Sequence, residues 1–237
     1  MNVVPPNFFE FRRLKEANDR IKVLEDMDSK LAKLSGIAQA KDYSQLFNHM
    51  ELPLEDQNFL VVSAIVRVLG RLLRLCPAMI APSNAKRLLA LTVDKYKGPK
   101  SKTFNVLIHQ LVREFVTNRS LSLEHIVDIL TEVVDKSKNL NAKIGVLEWL
   151  ATEFEDICIG ILTGTEVSLG TEEGGANKIK RISNNLKKRL ELMVKLDSFL
   201  KVKEDLRGVI QVLSNIETGE KRETLKSRTA TAFTKME

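Results

Sequence analysis

Turn signals between apolar helical stripes recur around Glu16, Gln57, Pro99 and Leu140, spaced by 41, 42 and 41 residues. A fixed period of this length, with two helical stripes in each period, marks a chain built from repeated helical hairpins. One such hairpin cannot bury its apolar stripe alone, so neighbours must stack and share a continuous core. Equivalent turns then fall on one long edge of the stack, and that edge is where function is expected.

The stripes follow the three-four step of amphipathic helices. Ile21, Leu24, Met27, Leu31 and Leu34 mark the first helix, whose hairpin partner is expected from Tyr43 through Leu46, Phe47 and Met50. From Asn58 to Leu75 the chain is apolar on nearly every side, Phe59 and Leu60 included. That pattern predicts an interior helix touching both flanking layers, with Arg67, Arg71 and Arg74 excluding a bilayer span. Pro77 and Pro82 frame a connector. Ala85 to Tyr96 and Phe104 to Phe115 pair around a turn at Gly98-Pro99. Leu123 to Val134 pairs with Ile144 to Phe154 around residues 137–141, with Ser120 and Ser122 as candidate N-caps of the first of these. The rhythm then breaks. Residues 163–177 are polar, bear glycine and lack periodicity, and the next comparable turn, near Lys201, lies 61 residues after Leu140. They are expected to be a loop insertion. Ile179 to Met193 and Phe199 to Ile216 give two more stripes. The expected organisation is all-α, a HEAT-repeat solenoid of about five to six hairpins over residues 1–217, followed by a disordered basic tail over residues 218–237.

Catalytic chemistry is missing from this pattern. The stretch most like a phosphate loop, from Gly170 to Lys178, lacks a Gly-Lys-Ser/Thr ending and carries Glu172 and Glu173 where phosphate would sit. His49, His109 and His125 lie on three separate helices, none with a His or Cys four residues away. Neither a metal nor another cofactor is expected, and the chain reads as a non-enzyme. Trp149, between Leu147 and Leu150, is expected in the core rather than as an anchor for a partner. Cys76 and Cys158 sit in apolar stripes and are too few for a disulfide framework or zinc cluster, which points to a reducing, intracellular compartment. No basic-then-apolar leader and no membrane-length apolar run is seen.

The turns themselves carry the chemistry. Lys95, Lys97, Lys100 and Lys102 surround the third turn, Lys136, Lys138 and Lys143 the fourth, and Lys201 and Lys203 the last; the second, at Glu55, Asp56, Gln57 and Asn58, is acidic and polar. Stacking would align these lysines on one edge. With a formal net charge of +6, an acidic partner fits such a ridge.

Strings at those turns resemble the TOG domain, the tubulin-binding module of the ch-TOG family of microtubule polymerases. Val4-Pro5-Pro6-Asn7-Phe8-Phe9-Glu10 is similar to the Leu-Pro-x-x-Phe-Tyr lead-in of those domains, and Asp42-Tyr43-Ser44-Gln45-Leu46 to their Asp-Tyr-x-x-Leu. Asp56-Gln57-Asn58 resembles the Asp-x-Asn of the second turn. Lys95-Tyr96-Lys97-Gly98-Pro99-Lys100 is similar to the Lys-x-Lys-Lys-Pro of the third, and Lys138-Asn139-Leu140-Asn141-Ala142-Lys143 to the Lys-Asn-Pro-x-x-Lys of the fourth. Leu206-Arg207 falls where a Val-Arg pair opens the last helix. The likeness runs without a gap over residues 4 to 155.

The resemblance implies a paddle whose turn edge grips αβ-tubulin, in a cytoplasmic protein that promotes microtubule growth at centrosome and spindle. The residues it carries over are Asn58, Lys97, Lys100, Lys138, Asn139, Lys143 and Arg207, with Lys203 added from the lysine row. Two departures matter. Ala17 stands where tubulin-binding members place a first-turn Trp, and Leu140 replaces the proline of the fourth turn. Loss of an aromatic hot spot costs about 2 kcal/mol or more, roughly a thirty-fold weakening, so the expected tubulin affinity of this domain alone is weak. The alternative is a HEAT-type scaffold that binds another spindle or centrosomal protein, or RNA, without touching tubulin.

Overall fold

Where the second turn gives way to the longest apolar stretch, Asn58 accepts a hydrogen bond from Leu60 N through Oδ1 (2.9 Å) and from Val62 N through its carbonyl (3.1 Å). The first bond caps an amide otherwise unpaired at the start of a helix, and the second is the first bond of the helix itself. The computed structural model describes residues 4–34, 44–75, 80–98, 101–118, 120–162, 175–196 and 200–218. Tyr43, Cys76, Pro77, Pro99, Lys100, Phe199 and the tail beyond Thr218 lie outside them. All the regular elements among the described residues are helical, and none is a strand.

Among the described residues, two short 3-10 turns, Pro6–Phe8 and Phe11–Arg13, precede ten α-helices. These are α1 (Ala17–Leu31), α2 (Ser44–His49), α3 (Glu51–Leu54), α4 (Phe59–Leu75), α5 (Pro82–Val93), α6 (Lys102–Thr117), α7 (Leu123–Lys136), α8 (Leu140–Leu162), α9 (Gly175–Leu196) and α10 (Leu200–Thr218). They stack in two layers. In the first, α1, α4, α6, α8 and α10 pack side by side in chain order; in the second, α3, α5, α7 and α9 do the same, with α2 beside α3 and α5. Across the layers α3 lies on α4, α5 on α6, α7 on α8 and α9 on α10. The buried faces of both layers form one continuous core.

Ion pairs fix the step from each helix to the next. Arg71 of α4 binds Asp28 of α1, Arg74 Nη1 of α4 lies 2.6 Å from Glu114 Oε1 of α6, and Arg113 Nη1 of α6 lies 2.9 Å from Glu153 Oε2 of α8. The sequence separations are 43, 40 and 40 residues, so the period read along the chain is the register of the stack. The second layer does likewise with Arg87 on Glu51 and Arg189 Nη1 at 2.6 Å from Asp128 Oδ1. Partly exposed pairs contribute only about 0 to 1 kcal/mol each; their effect is on register, whereas the apolar core carries the stability.

Three expectations are corrected. The helix at Ile21 to Leu31 does not form a hairpin with the segment after Tyr43: α1 packs on α4, and the opening 3-10 turns, with Phe8 and Phe11 buried, cover α1 and α3 instead. The reason is the all-round apolar surface of α4, which offers α1 more to bury than the short α2 and α3 do. Residues 175–177 belong to helix α9 and not to the insertion, and Thr218 closes α10 rather than opening the tail. Phe59 and Leu60 are 41% and 59% exposed, not interior. As the first two residues of α4 they stand at the turn, where α6 meets Phe59 only through Phe104 and leaves Leu60 open. Elsewhere the pattern holds. Ser122 Oγ accepts from His125 N at 3.3 Å and caps α7, while Pro82 occupies the first position of α5, where a missing N–H costs nothing. Trp149 and Cys158 are fully buried in α8.

Candidate functional site

The turns of the row are bonded in pairs, the first to the second and the third to the fourth. Arg20 of α1 donates through Nη1 to the carbonyls of Leu14 (2.9 Å) and Lys15 (2.8 Å), and through Nε to Asp56 Oδ2 (2.7 Å). The first turn is thus tied to the second by one guanidinium. Asp56 Oδ1 in turn accepts from Asn58 N at 2.8 Å. Between the second and third turns Phe59 meets Phe104 edge-on at 4.8 Å, above a cleft of about 340 Å³ lined by Glu55, Asp56, Lys95 and Lys97. In the third turn the Asn105 amide clasps both backbone groups of Lys97, at 3.1 and 3.0 Å.

The fourth turn holds the third by its own side chains. Ser137 Oγ donates to Asp94 Oδ1 (2.9 Å), and Asn139 Nδ2 donates to the carbonyls of Asp94 (2.7 Å) and Tyr96 (3.4 Å). Asn139 Oδ1 meanwhile accepts from Asn141 N at 3.1 Å and caps α8. Ser137 and Asn139 repeat, two periods on, the arrangement of Asp56 and Asn58: the first residue of each pair accepts the amide of the second, which caps the helix. Replacing Asn139 by Ala removes the cap and both bonds to the third turn, with an expected loss of about 1 to 2 kcal/mol in urea unfolding. Asn139→Asp keeps the acceptor, loses the donors and is expected to fall between.

Of the residues carried over by resemblance, the row holds Asn58, Lys97, Lys138, Asn139 and Lys143 at its turns, and Lys203 and Arg207 near the start of α10; Lys100 lies outside the described residues. Lys97, Lys138 and Arg207 are exposed, while Lys143 and Lys203 are half-buried, the Lys143 Nζ 3.5 Å from the Asp135 carbonyl. Ala17 is the half-exposed first residue of α1. Asn58 caps α4, and Asn139 caps α8 and bonds the third turn, so both hold the edge in shape. Lys136 and Lys201 each have a pKa raised above the usual lysine value, through hydrogen bonds to Glu132 and Asp205 at 2.7 and 2.6 Å. Their charge is shared with an acid one turn away, which leaves Lys97 and Lys138 as prominent cations of the middle turns.

Three features escaped the sequence reading. The exposed Phe59-Leu60 pair gives the edge an apolar step beside its lysines; the signal was their place directly after a capping Asn. The Arg20–Asp56 bond joins residues 36 apart, and no local pattern marks it. Below the third and fourth turns, the buried Tyr96 and the half-buried His109 meet edge-on at 5.5 Å beside Gly145 and Trp149. Burial pushes the Tyr96 phenol well up and the His109 imidazole down, with Glu148 and Glu153 adding to the first shift and opposing the second.

Among the described residues, no cluster of three or more His, Cys, Asp or Glu is arranged to hold a metal, and no helix is long and apolar enough to cross a membrane. The chain matches no protein-family model, no curated protein and no solved structure in the comparisons made.

Proposed function

We propose that this chain is a TOG-type HEAT-repeat module that binds αβ-tubulin without catalysis, through its row of turns, in a cytoplasmic protein promoting microtubule growth at spindle and centrosome. The observation carrying this reading is the bonding of turns in pairs, Arg20 to Asp56 and Asn139 to Asp94, with Phe59 on Phe104 between the pairs, which supports reading them as one ridge. A ridge pre-set in the free protein spends little on ordering when a partner binds. Lys97 and Lys138 on the ridge suit an acidic surface, and Phe59 with Leu60 adds desolvated contact where Ala17 offers none. The affinity of the isolated module is weak, and sister modules on one chain would raise it through effective concentration.

The purified chain is expected to co-elute with tubulin at low ionic strength and to separate from it as salt screens the lysines. Reversing Lys97 and Lys138 together to Glu is expected to abolish co-elution while leaving the circular dichroism unchanged. Ala17→Trp should tighten binding roughly thirty-fold, the equivalent of one aromatic hot spot. If neither the parent chain nor Ala17→Trp binds tubulin at tens of micromolar, the reading fails. A HEAT-type scaffold for another protein or RNA then takes its place.

A further inference from the structure

We propose that the valley above α8, walled by α6 and α10, docks an amphipathic helix of a partner protein that carries a basic residue at mid-length and sets its carboxyl-terminal end at the turn row. The proposal does not rest on the tubulin reading, although the mouth of the valley shares Lys97 with the ridge. The valley is about 860 Å³, a size within the range of specific ligand sites. It is lined mainly by apolar groups from three parallel helices.

Ile144 and Ala151, two turns apart on α8, make the floor, and Val106 on the α6 wall is 51% exposed. On the opposite wall Gly208 sits inside α10, and a Cβ placed there would meet nothing within 4 Å. A mid-helix glycine weakens its own helix, and no neighbour in the fold requires this one. What it provides is room for another backbone to come close.

Polar groups set the direction of the occupant. The turn-side mouth holds Lys102 and Lys201, and α6, α8 and α10 all begin there, so their positive dipole ends converge on it. A helix entering antiparallel to them brings its negative carboxyl-terminal end to that mouth. Further in, Glu148, Glu204 and Asp205 gather in the valley. Asp205 Oδ1 accepts from Lys201 at 2.6 Å, but its Oδ2 is buried without a hydrogen-bond partner, as is His109 Nε2 in the same lining. Unmet buried acceptors are costly, and an arginine or lysine of the occupant satisfies the carboxylate. From Asn141 to Ala151 the floor spans about 15 Å, close to three helical turns.

The test uses the whole ¹⁵N-labelled chain and a synthetic helix of three to four turns, with a leucine stripe at i, i+4, i+7 and i+11, a central arginine and a glutamate-rich carboxyl end. Saturable amide shifts confined to α6, α8 and α10 are expected, and a charge-inverted peptide should bind about tenfold more weakly or worse. Gly208→Leu fills the open space, so it should keep the melting temperature or raise it while removing the shifts; Asp205→Asn should weaken the arginine peptide selectively. Absence of shifts at millimolar peptide, or equal binding of the two peptides, overturns the proposal. So does movement of those amides when residues 219–237 are deleted, since the chain's own tail would then be the occupant. Because Lys97 and Lys138 are untouched in Gly208→Leu, tubulin co-elution of that variant reports on the ridge independently.

Discussion

Trp149→Ala is expected to lower the unfolding free energy by about 3 to 5 kcal/mol, the range for emptying a large aromatic site in a core. Trp149 is fully buried, its Nε1 donates to the His109 carbonyl at 3.3 Å, and that bond joins α8 to α6 across a sequence gap of 40 residues. Removing the indole therefore opens a cavity at the joint between two neighbouring helices of the first layer. Against a total of roughly 5 to 15 kcal/mol for a folded domain, the loss is a large share, and the melting temperature should drop by about 6 to 20 °C for a chain of this size. Trp149→Phe refills most of the volume and forfeits the hydrogen bond, so it should lose less than half as much. Urea titration followed by circular dichroism measures both. A loss below about 1 kcal/mol for the alanine variant would mean that the indole is not enclosed between α6 and α8.

That joint also shows what periodicity can and cannot reveal. The three-four stripes named the buried face of most helices because a residue one turn away along a helix shares its face, but on α8 they took in Ile144 and Ala151, which are half-buried on the valley floor. Ile108, Leu130 and Leu213 were legible in this way, and Trp149 by its place between leucines, all fully buried. A stripe does not name the element that covers it, and so α1 was assigned to the wrong neighbour. The turns were legible as positions but not as bonds. Lysines clustered at fixed intervals stand out in a sequence, whereas Asn139 serving both as cap to α8 and as donor to Asp94 depends on atoms 45 residues apart. The likeness to TOG turns pointed to Asn58 and Asn139 as contact residues; their hydrogen bonds give them the task of shaping the edge. Phe59 and Leu60 were misplaced for the opposite reason: an apolar residue in an apolar run looks buried until the end of the neighbouring helix is known.

The same substitution at two glycines should have opposite signs. Alanine is the better helix former by about 1 kcal/mol, and Gly145 in α8 and Gly208 in α10 are both inside helices. At Gly145 an added Cβ would lie 2.5 Å from Tyr96 Cγ and Cδ1 and 2.8 Å from Cε1, closer than carbon atoms approach. Tyr96 is only 1% exposed and its ring abuts His109, so it has little room to retreat. Overpacking of this kind costs about 1 to 3 kcal/mol after the propensity gain is spent, and Gly145→Ala should unfold at lower urea. Gly208→Ala meets open space and should gain about 0.5 to 1 kcal/mol. Pairing Gly145→Ala with Tyr96→Ala should recover part of the loss, because the clash needs both side chains, and a double-mutant cycle measures that coupling. If the Gly145 and Gly208 variants shift stability in the same direction, the close contact between α8 and the third turn is not as described. The lysine row would then lose the rigid base on which the third and fourth turns stand.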